Sequence, residues 1–360
     1  MGISADVLAT ALQELMPGYS ELFTLWHPLM EKVVLKGNMD KKALDGPYRE
    51  FVVVQGGPGN VTQVTHGSEV IAGGRNQQAV RGNTYAPRLI YAFDVPGKDL
   101  AEANGKQDLA RILQHYPELG MLDFHERISD QLGTGNGSGV GGFPTLNGDT
   151  TYSPNGTARA GILEYATPAT QANTVHGLSS TTTTGWQNQY GEIASFAAGG
   201  RATMRKVYYA CNRQGAKVLG KCDLLLGDET SYLNYITDLD DQVRIVTPST
   251  KEGDRAPEKI RDGVKFLDAD FFLEESIDVS AAEFTTAAAS AGVIYFLNSA
   301  TWHMYTLGHD SGKETKGNFA TRGPFRIPEQ DLFRYEIVLN MGLHTTSKRH
   351  NGVVTGGNRP

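Results

Sequence analysis

From Phe333 to His344 apolar and polar positions alternate almost without a break. Phe333, Tyr335, Ile337, Leu339, Met341 and Leu343 interleave with Arg334, Glu336, Val338, Asn340, Gly342 and His344. Successive side chains of a strand point to opposite faces, so this pattern predicts a long half-buried strand. Asn351-Gly352 beyond it predicts a tight turn. A second period-two run, Leu89, Tyr91, Phe93 and Val95, predicts another strand. The β-branched runs FVVV (51–54) and VTQV (61–64) predict strand as well. The turn-rich segment 71–83, IAGGRNQQAVRGN, separates these runs from Leu89. The simplest arrangement is a long antiparallel excursion. Each arm of ten or more residues would reach ~35 Å at about 3.3 Å per residue. A two-stranded ribbon is marginal alone in water, so it needs a surface, from its own domain or another. The competing arrangement is a sheet edge in an ordinary α/β protein.

Helical spacing governs other stretches. Leu8, Leu12 and Leu15 recur at helical intervals, and His27 before Pro28 predicts an extended or turning backbone. Residues 1–47 read as an arm that docks on something, since so few residues make a marginal core. Leu109, Ile112, Leu113 and Tyr116 form one apolar stripe, and Phe124, Ile128 and Leu132 another. Pro117 suits a first turn and Gly133 a C-terminal cap, which predicts a helix over 118–132. Arg201–Gln214 predicts a further helix. Cys222–Leu226 predicts a short buried strand, with Asp228 as N-cap of a helix through Ile236. VRIV (243–246), VKFL (264–267) and VIYFL (293–297) predict strands between charged loops. Residues 134–200 are rich in Gly, Ser, Thr and Asn, yet carry Trp186 and Tyr190.

Composition narrows the function classes. The 360 residues carry a net charge of −7, so the overall basic footprint of a nucleic-acid binder is absent. The 42 glycines exceed average usage of about 7% and point to many turns and close backbone approaches. Two cysteines, Cys211 and Cys222, are too few for a disulfide scaffold and are expected to be buried thiols in a reducing compartment. The longest apolar run, Ala287–Leu297, falls short of the roughly 20 residues a bilayer requires. The N-terminus lacks the basic and apolar blocks of a signal peptide, so synthesis inside the cell is expected.

The chemical motifs fail on context. Gly137, Gly139 and Gly142 in GTGNGSGVGGFPTLNGD (133–149) fit G-x-G-x-x-G. A dinucleotide loop must follow a strand and open a helix, whereas these glycines follow a predicted helix. GHDSGK (308–313) is one residue short of a P-loop, and Glu314 stands where a Ser or Thr is needed. There is no H-E-x-x-H, no zinc-spaced Cys/His set and no G-x-S-x-G. His125-Glu126, Asp240-Asp241 and Glu274-Glu275 read as solvated groups. Asp268 and Asp270 could share a strand face and perturb one another, but no second feature supports a site. No catalytic, cofactor-binding or metal-ligating residue is assigned, and no cofactor is expected. That shifts weight toward a structural role.

The order of parts carries more information than any motif. An N-terminal arm is followed by a β excursion, a long helix, a glycine-rich connection, a mixed α/β region with CDLLLGDETSYLNYI, then IYFLN (294–298), FRIPEQD (325–331), the alternating strand and SKRHNGVVTGG. This order resembles the major capsid proteins of tailed bacteriophages, the Hong Kong 97-type fold. The resemblance covers most of the chain through motifs that are individually diffuse. It implies an α+β fold with an N-terminal arm (1–47), an extended loop (48–98), and a peripheral domain with a long spine helix and glycine-rich connection (99–217). A mainly axial domain (218–325) and a C-terminal strand returning to the peripheral domain (326–360) complete it. It implies no catalysis. Subunits would assemble as hexamers and pentamers into an icosahedral shell around double-stranded DNA, with scaffold and portal partners, a decoration protein as a further candidate, and no membrane. DNA would be enclosed without sequence-specific binding, and the location would be the virion, with assembly in the host cytoplasm. Glycines 137–142 would then be a joint after the spine helix. An arm of this length leaves scaffolding to a separate protein. An encapsulin-type compartment shell, a tail or tube protein, and an enzyme with an unrecognised site are the alternatives.

Some members of that family crosslink through a lysine on the extended loop, and residues 48–97 contain none. Particles of this protein are therefore expected to run as single chains on denaturing gels, and a ladder of covalent multimers would overturn the expectation of noncovalent maturation.

Overall fold

The computed structural model describes residues 27–40, 49–54, 79–84, 88–102, 106–133, 174–175, 178–179, 186, 188–193, 196–213, 220–240, 264–274, 292–306, 319–328 and 330–355. In chain order the elements are α1 (Pro28–Leu35), β1 (Met39–Asp40), β2 (Arg49–Val54), β3 (Ala79–Thr84), β4 (Arg88–Pro96), α2 (Gly97–Glu102) and α3 (Lys106–Gly133). There follow β5 (Thr174–Val175), β6 (Leu178–Ser179), β7 (Gln189–Glu192), α4 (Phe196–Cys211), β8 (Leu224–Gly227), α5 (Glu229–Asp240), β9 (Val264–Phe266), β10 (Ala269–Leu273) and β11 (Val293–Leu297). The last are β12 (Trp302–Thr306), β13 (Phe319–Arg326), β14 (Leu332–Thr345) and β15 (Gly352–Thr355), with single 3-10 turns at Ser299–Thr301 and Lys348–His350.

Six strands form a mixed sheet in the order β7-β15-β11-β8-β10-β9. Its central strands, LLLG and VIYFL, are buried at every position. Uninterrupted apolar runs of this kind belong to strands covered on both faces. Leu225, Ile294, Phe296 and Val354 face Met204, Val207 and Tyr208 of α4 and Tyr235 of α5. Leu224, Leu226, Val293, Tyr295 and Val353 face the other way, into a core shared with Leu29, Met30 and Val33 of α1 and with Trp302, Met304 and Leu343. The described part of the N-terminal segment thus docks on its own chain.

The second sheet is organised by β14, which pairs antiparallel with β4, β13 and β12 along its length, and β1 adds in parallel to β12. The expected alternation holds in the first half of β14: Tyr335, Ile337 and Leu339 are buried while Arg334 is exposed. From Val338 the strand runs into the interior, and Gly342, Leu343, His344 and Thr345 are all buried. One face of β4 and β14 receives α3 through Met121, Phe124 and Ile128.

Several expectations need correction. The Leu89–Val95 strand is not an arm of the excursion. It is β4, paired with β14, and the hairpin arms are β2 and β3. Period-two patterning identifies a strand without naming its partner. VTQV (61–64) and VRIV (243–246) lie outside the described residues. The helix does not start at Pro117: α3 runs 28 residues, about 42 Å at 1.5 Å per residue, with Pro117 inside it. An internal proline removes one helical hydrogen bond at a cost of about 3 kcal/mol. Packing outweighs this, because both sides of the proline seat on the same sheet. Tyr116 stacks on Phe93 with centroids 4.9 Å apart, and Met121 and Phe124 continue the contact beyond it. The helix expected over 201–214 begins earlier, at Phe196. Asn351-Gly352 is not a hairpin turn, since Gly352 opens β15.

Asp228 caps α5 as expected. Its Oδ1 accepts from Ser231 N (3.3 Å) and Val293 N (2.7 Å), and Oδ2 accepts from Thr230 N (3.2 Å). Gly292 makes this closure possible: its φ is +79°, and a Cβ there would overlap Ser231 Oγ and stand 2.7 Å from Asp228 Oδ1. Strain at positive φ costs roughly 1–2 kcal/mol, and overpacking roughly 1–3 kcal/mol. Gly292→Ala is therefore expected to destabilise the subunit by about 2–4 kcal/mol, read as a lower urea midpoint, and an unchanged midpoint would refute this account of the cap.

Candidate assembly surfaces

The hairpin of β2 and β3 is seated at its base. Phe51 and Val53 turn inward against Leu178 and Trp186, with Val80 at the margin. Gly82 stands opposite Phe51, and a Cβ there would meet the ring at 2.7 Å, so glycine lets the aromatic lie across the partner strand. The Phe51 ring rests 4.4 Å from the imidazole of His344, which stacks on its cross-strand neighbour His303 at 5.5 Å. The outer face of the hairpin shows Val52, 56% exposed, and an exposed Arg81–Glu50 ion pair at 3.2 Å. Such a pair contributes little to stability. The ribbon therefore has support at home for its base, while residues 55–78 lie outside the described residues.

A set of basic groups holds α1 to the six-stranded sheet. His27 caps the helix, with Nδ1 accepting from Leu29 N at 3.2 Å, which leaves the ring proton on Nε2. Nε2 lies 3.0 Å from Glu274 Oε2, though poorly aligned for a hydrogen bond. Lys32 Nζ donates to Asp270 Oδ2 (2.7 Å) and Asp223 O (2.9 Å), and Lys36 Nζ donates to Asp223 Oδ2 (2.7 Å). Burial acts to raise the Asp223 carboxyl, but hydrogen bonds from Lys36 and Ser299 outweigh it and hold it below the usual carboxylate range. Asn38 Nδ2 donates to the carbonyls of Ala300 and Trp302, each at 3.1 Å.

These contacts settle several candidate residues. Glu274, expected to be solvated, is buried against His27. Asp268 lies in a turn and Asp270 in β10, and each faces a lysine: Lys221 at 3.2 Å and Lys32 at 2.7 Å. His125 is half-buried and Glu126 exposed on α3. Cys211 and Cys222 are free and buried, and burial pushes both thiols up, away from reactivity. Gly133 closes α3, so the glycine stretch does follow a helix. Its remainder, like Asp241, Glu275 and GHDSGK, lies outside the described residues. Among the described residues no three His, Cys, Asp or Glu side chains group as metal ligands, and no helix is long and apolar enough to cross a membrane.

Sequence reasoning missed the polar interior near the C-terminus. Asn351 Oδ1 accepts from Asn298 N (2.9 Å) and Trp302 Nε1 (3.0 Å), and its Nδ2 donates to Thr301 Oγ1 (3.1 Å) and Ser347 O (2.7 Å). Ser347 Oγ and His350 Nδ1, 2.6 Å apart, brace the same turn. In SKRHNG nothing separates a buried lysine from a surface basic run, yet Lys348 is fully buried.

No protein-family model and no curated protein matches the sequence. Solved structures do. A chain of the cyanophage A-1(L) capsid asymmetric unit superposes with a TM-score of 0.58 at 13% identity, covering 91% of this chain and 93% of that one. This chain has that capsid fold. Looser likenesses reach a native GTA particle capsid (TM-score 0.47, 12% identity, 91% and 90% coverage) and the holo-SrpI encapsulin complex of Synechococcus elongatus (0.46, 9%, 91% and 88%). The expected capsid-type α+β architecture is borne out at that level.

Burial lowers Lys348 from the ordinary 10.5 to about 7. Between those values the unfolded chain holds a proton that the folded chain has released, so stability rises with pH across the window. The cost of burying the charge is complete below the lower value and gone above the upper one. Urea midpoints from pH 7 to 10.5 are expected to climb in the wild type and to climb less in Lys348→Met. Equal slopes would show that Lys348 does not titrate in this way.

Proposed function

We propose that this protein is a major capsid protein that self-assembles, as hexamers and pentamers, into an icosahedral shell enclosing a double-stranded DNA genome. The observation that carries the reading is the shared fold over nine-tenths of a cyanophage capsid chain. In this reading the six-stranded sheet with α4 and α5 forms the axial domain, which takes β7, α4 and β15 out of the peripheral domain bounds expected from the sequence (99–217 and 326–360). The β14 sheet with α3 as spine helix forms the peripheral domain, and the β2–β3 hairpin is the root of the extended loop. The seated base fits such a role. It fixes the direction in which the ribbon leaves, so a neighbour can supply the remaining surface, and many modest contacts then add by multivalency. Scaffold and portal proteins would control closure and packaging, a decoration protein could reinforce the shell, and the chain would act without catalysis, in the virion after assembly in the host cytoplasm.

Negative-stain microscopy of the full chain, expressed alone and with its genomic neighbours, tests this. Closed isometric shells, with DNA in particles recovered from infection, are the expected result. Rings or tubes, shells filled with a cargo enzyme, or a stable monomer would each overturn it.

A further inference from the structure

Several cations of the described residues are held by carboxylates. Lys32, Lys36, Arg81, Lys221, Lys265 and Arg334 each lie within 4.0 Å of a carboxylate, and Arg201 meets Asp238 at 3.4 Å. Exposed cations without such a partner among the described residues include Arg127 and Arg326, which stand singly, and a group gathered on one helix. Arg205 and Lys206 on α4, and Arg213 in the turn just past its end, are exposed and have no ion-pair or hydrogen-bond partner among the described residues. Arg213 N donates to Ala210 O at 3.2 Å, so the backbone keeps turning and carries its side chain onward from the helix.

The spacing gathers these groups. Residues four apart stack along a helix, so Arg205 and Tyr209 form one row with Lys206 and Ala202 beside it, and Arg213 follows in the turn past its end. Met204, Val207, Tyr208 and Cys211 occupy the opposite, buried side. Tyr209, between Arg205 and Arg213, is 61% exposed. Among the described residues the face therefore offers three cations without a carboxylate partner and one aromatic with a hydroxyl donor, and no exposed apolar cluster beside them.

We propose that this outer face of α4 is a contact surface for the phosphate backbone of double-stranded DNA. The proposal rests on the shell reading above and locates where the enclosed genome would touch the subunit. The face from Arg205 to Arg213 is about 12 Å long at 1.5 Å per residue. Duplex DNA carries one charge per ~1.7 Å of axis, so any stretch of it meets the face with several phosphates and needs no register. Arginine forks suit phosphate oxygens, and a tyrosine hydroxyl can donate to them. With a net charge of −7, the chain as a whole disfavours a polyanion, which confines the contact to such a face and keeps it weak and independent of sequence.

The test compares the full-length wild-type subunit with Arg205→Gln/Lys206→Gln/Arg213→Gln for binding to a short random-sequence duplex by fluorescence anisotropy across a salt series. Shell formation is scored separately by microscopy. An Arg127→Glu/Arg326→Glu variant, altered at exposed cations away from α4, serves as the charge control. The triple variant is expected to lose roughly tenfold or more in affinity and about two to three units of salt slope, while still forming shells. The control is expected to retain most of the wild-type affinity. Equal loss in the control would reduce the effect to net charge and overturn the proposal. So would unchanged binding in the triple variant, or polyglutamate binding as tightly as DNA. Loss of shells in the triple variant alone would instead make this face a subunit contact and overturn the DNA assignment. Absence of shells in the wild type would count against the shell reading itself.

Discussion

Everything else in the described structure depends on two strands that cannot touch water on either face. β8 and β11 are apolar along their whole length, and a sheet with such a centre must be covered twice. Burial of apolar surface at about 25 cal/mol per Å² makes each cover strongly favourable. Helices α4 and α5 supply one cover. The other is composite: α1 from the beginning of the chain, and Trp302, Met304 and Leu343 from the second sheet. That composite cover continues into the core beneath α3, so the two sheets share one interior. The alternating strand β14 ends in that interior, which is why Leu339 and then Gly342, Leu343, His344 and Thr345 are all buried.

Shared interiors leave backbone and side-chain polar groups far from water, and each must find a partner. The chain meets this with short polar side chains at element ends. Asp228 closes the gap between α5 and β11, Asp223 ties Ser299 to Lys36, and Asn351 joins segments near residues 298, 302 and 347. These residues hold connections between segments. The buried thiols are likewise kept protonated by their surroundings. The hairpin contrasts with this interior. Only its inner face has a home, and its outward face keeps an exposed valine beside a solvated ion pair.

Local sequence determined the elements whose signal is local. Asp228 before a helix, the fully apolar VIYFL, and the dyad pattern from Phe333 onward each state their own conformation, because capping and side-chain period act within a few residues. The order of those elements was enough to bring the capsid-type architecture into view. The outward basic row of α4 was also present in RATMRKVYYACNR, though nothing in the sequence told which cations would find carboxylates. Tertiary structure decided the partners. Leu89–Val95 had the right period for a ribbon arm but pairs with β14, more than 200 residues away. Pro117 reads as a helix start until the aromatic seat on Phe93 shows why the helix continues through it. Lys348, His344 and Glu274 look like surface groups in the sequence, and all three are buried. Burial, pairing and the choice of which face meets water are set by contacts between distant segments, and no local pattern encodes them.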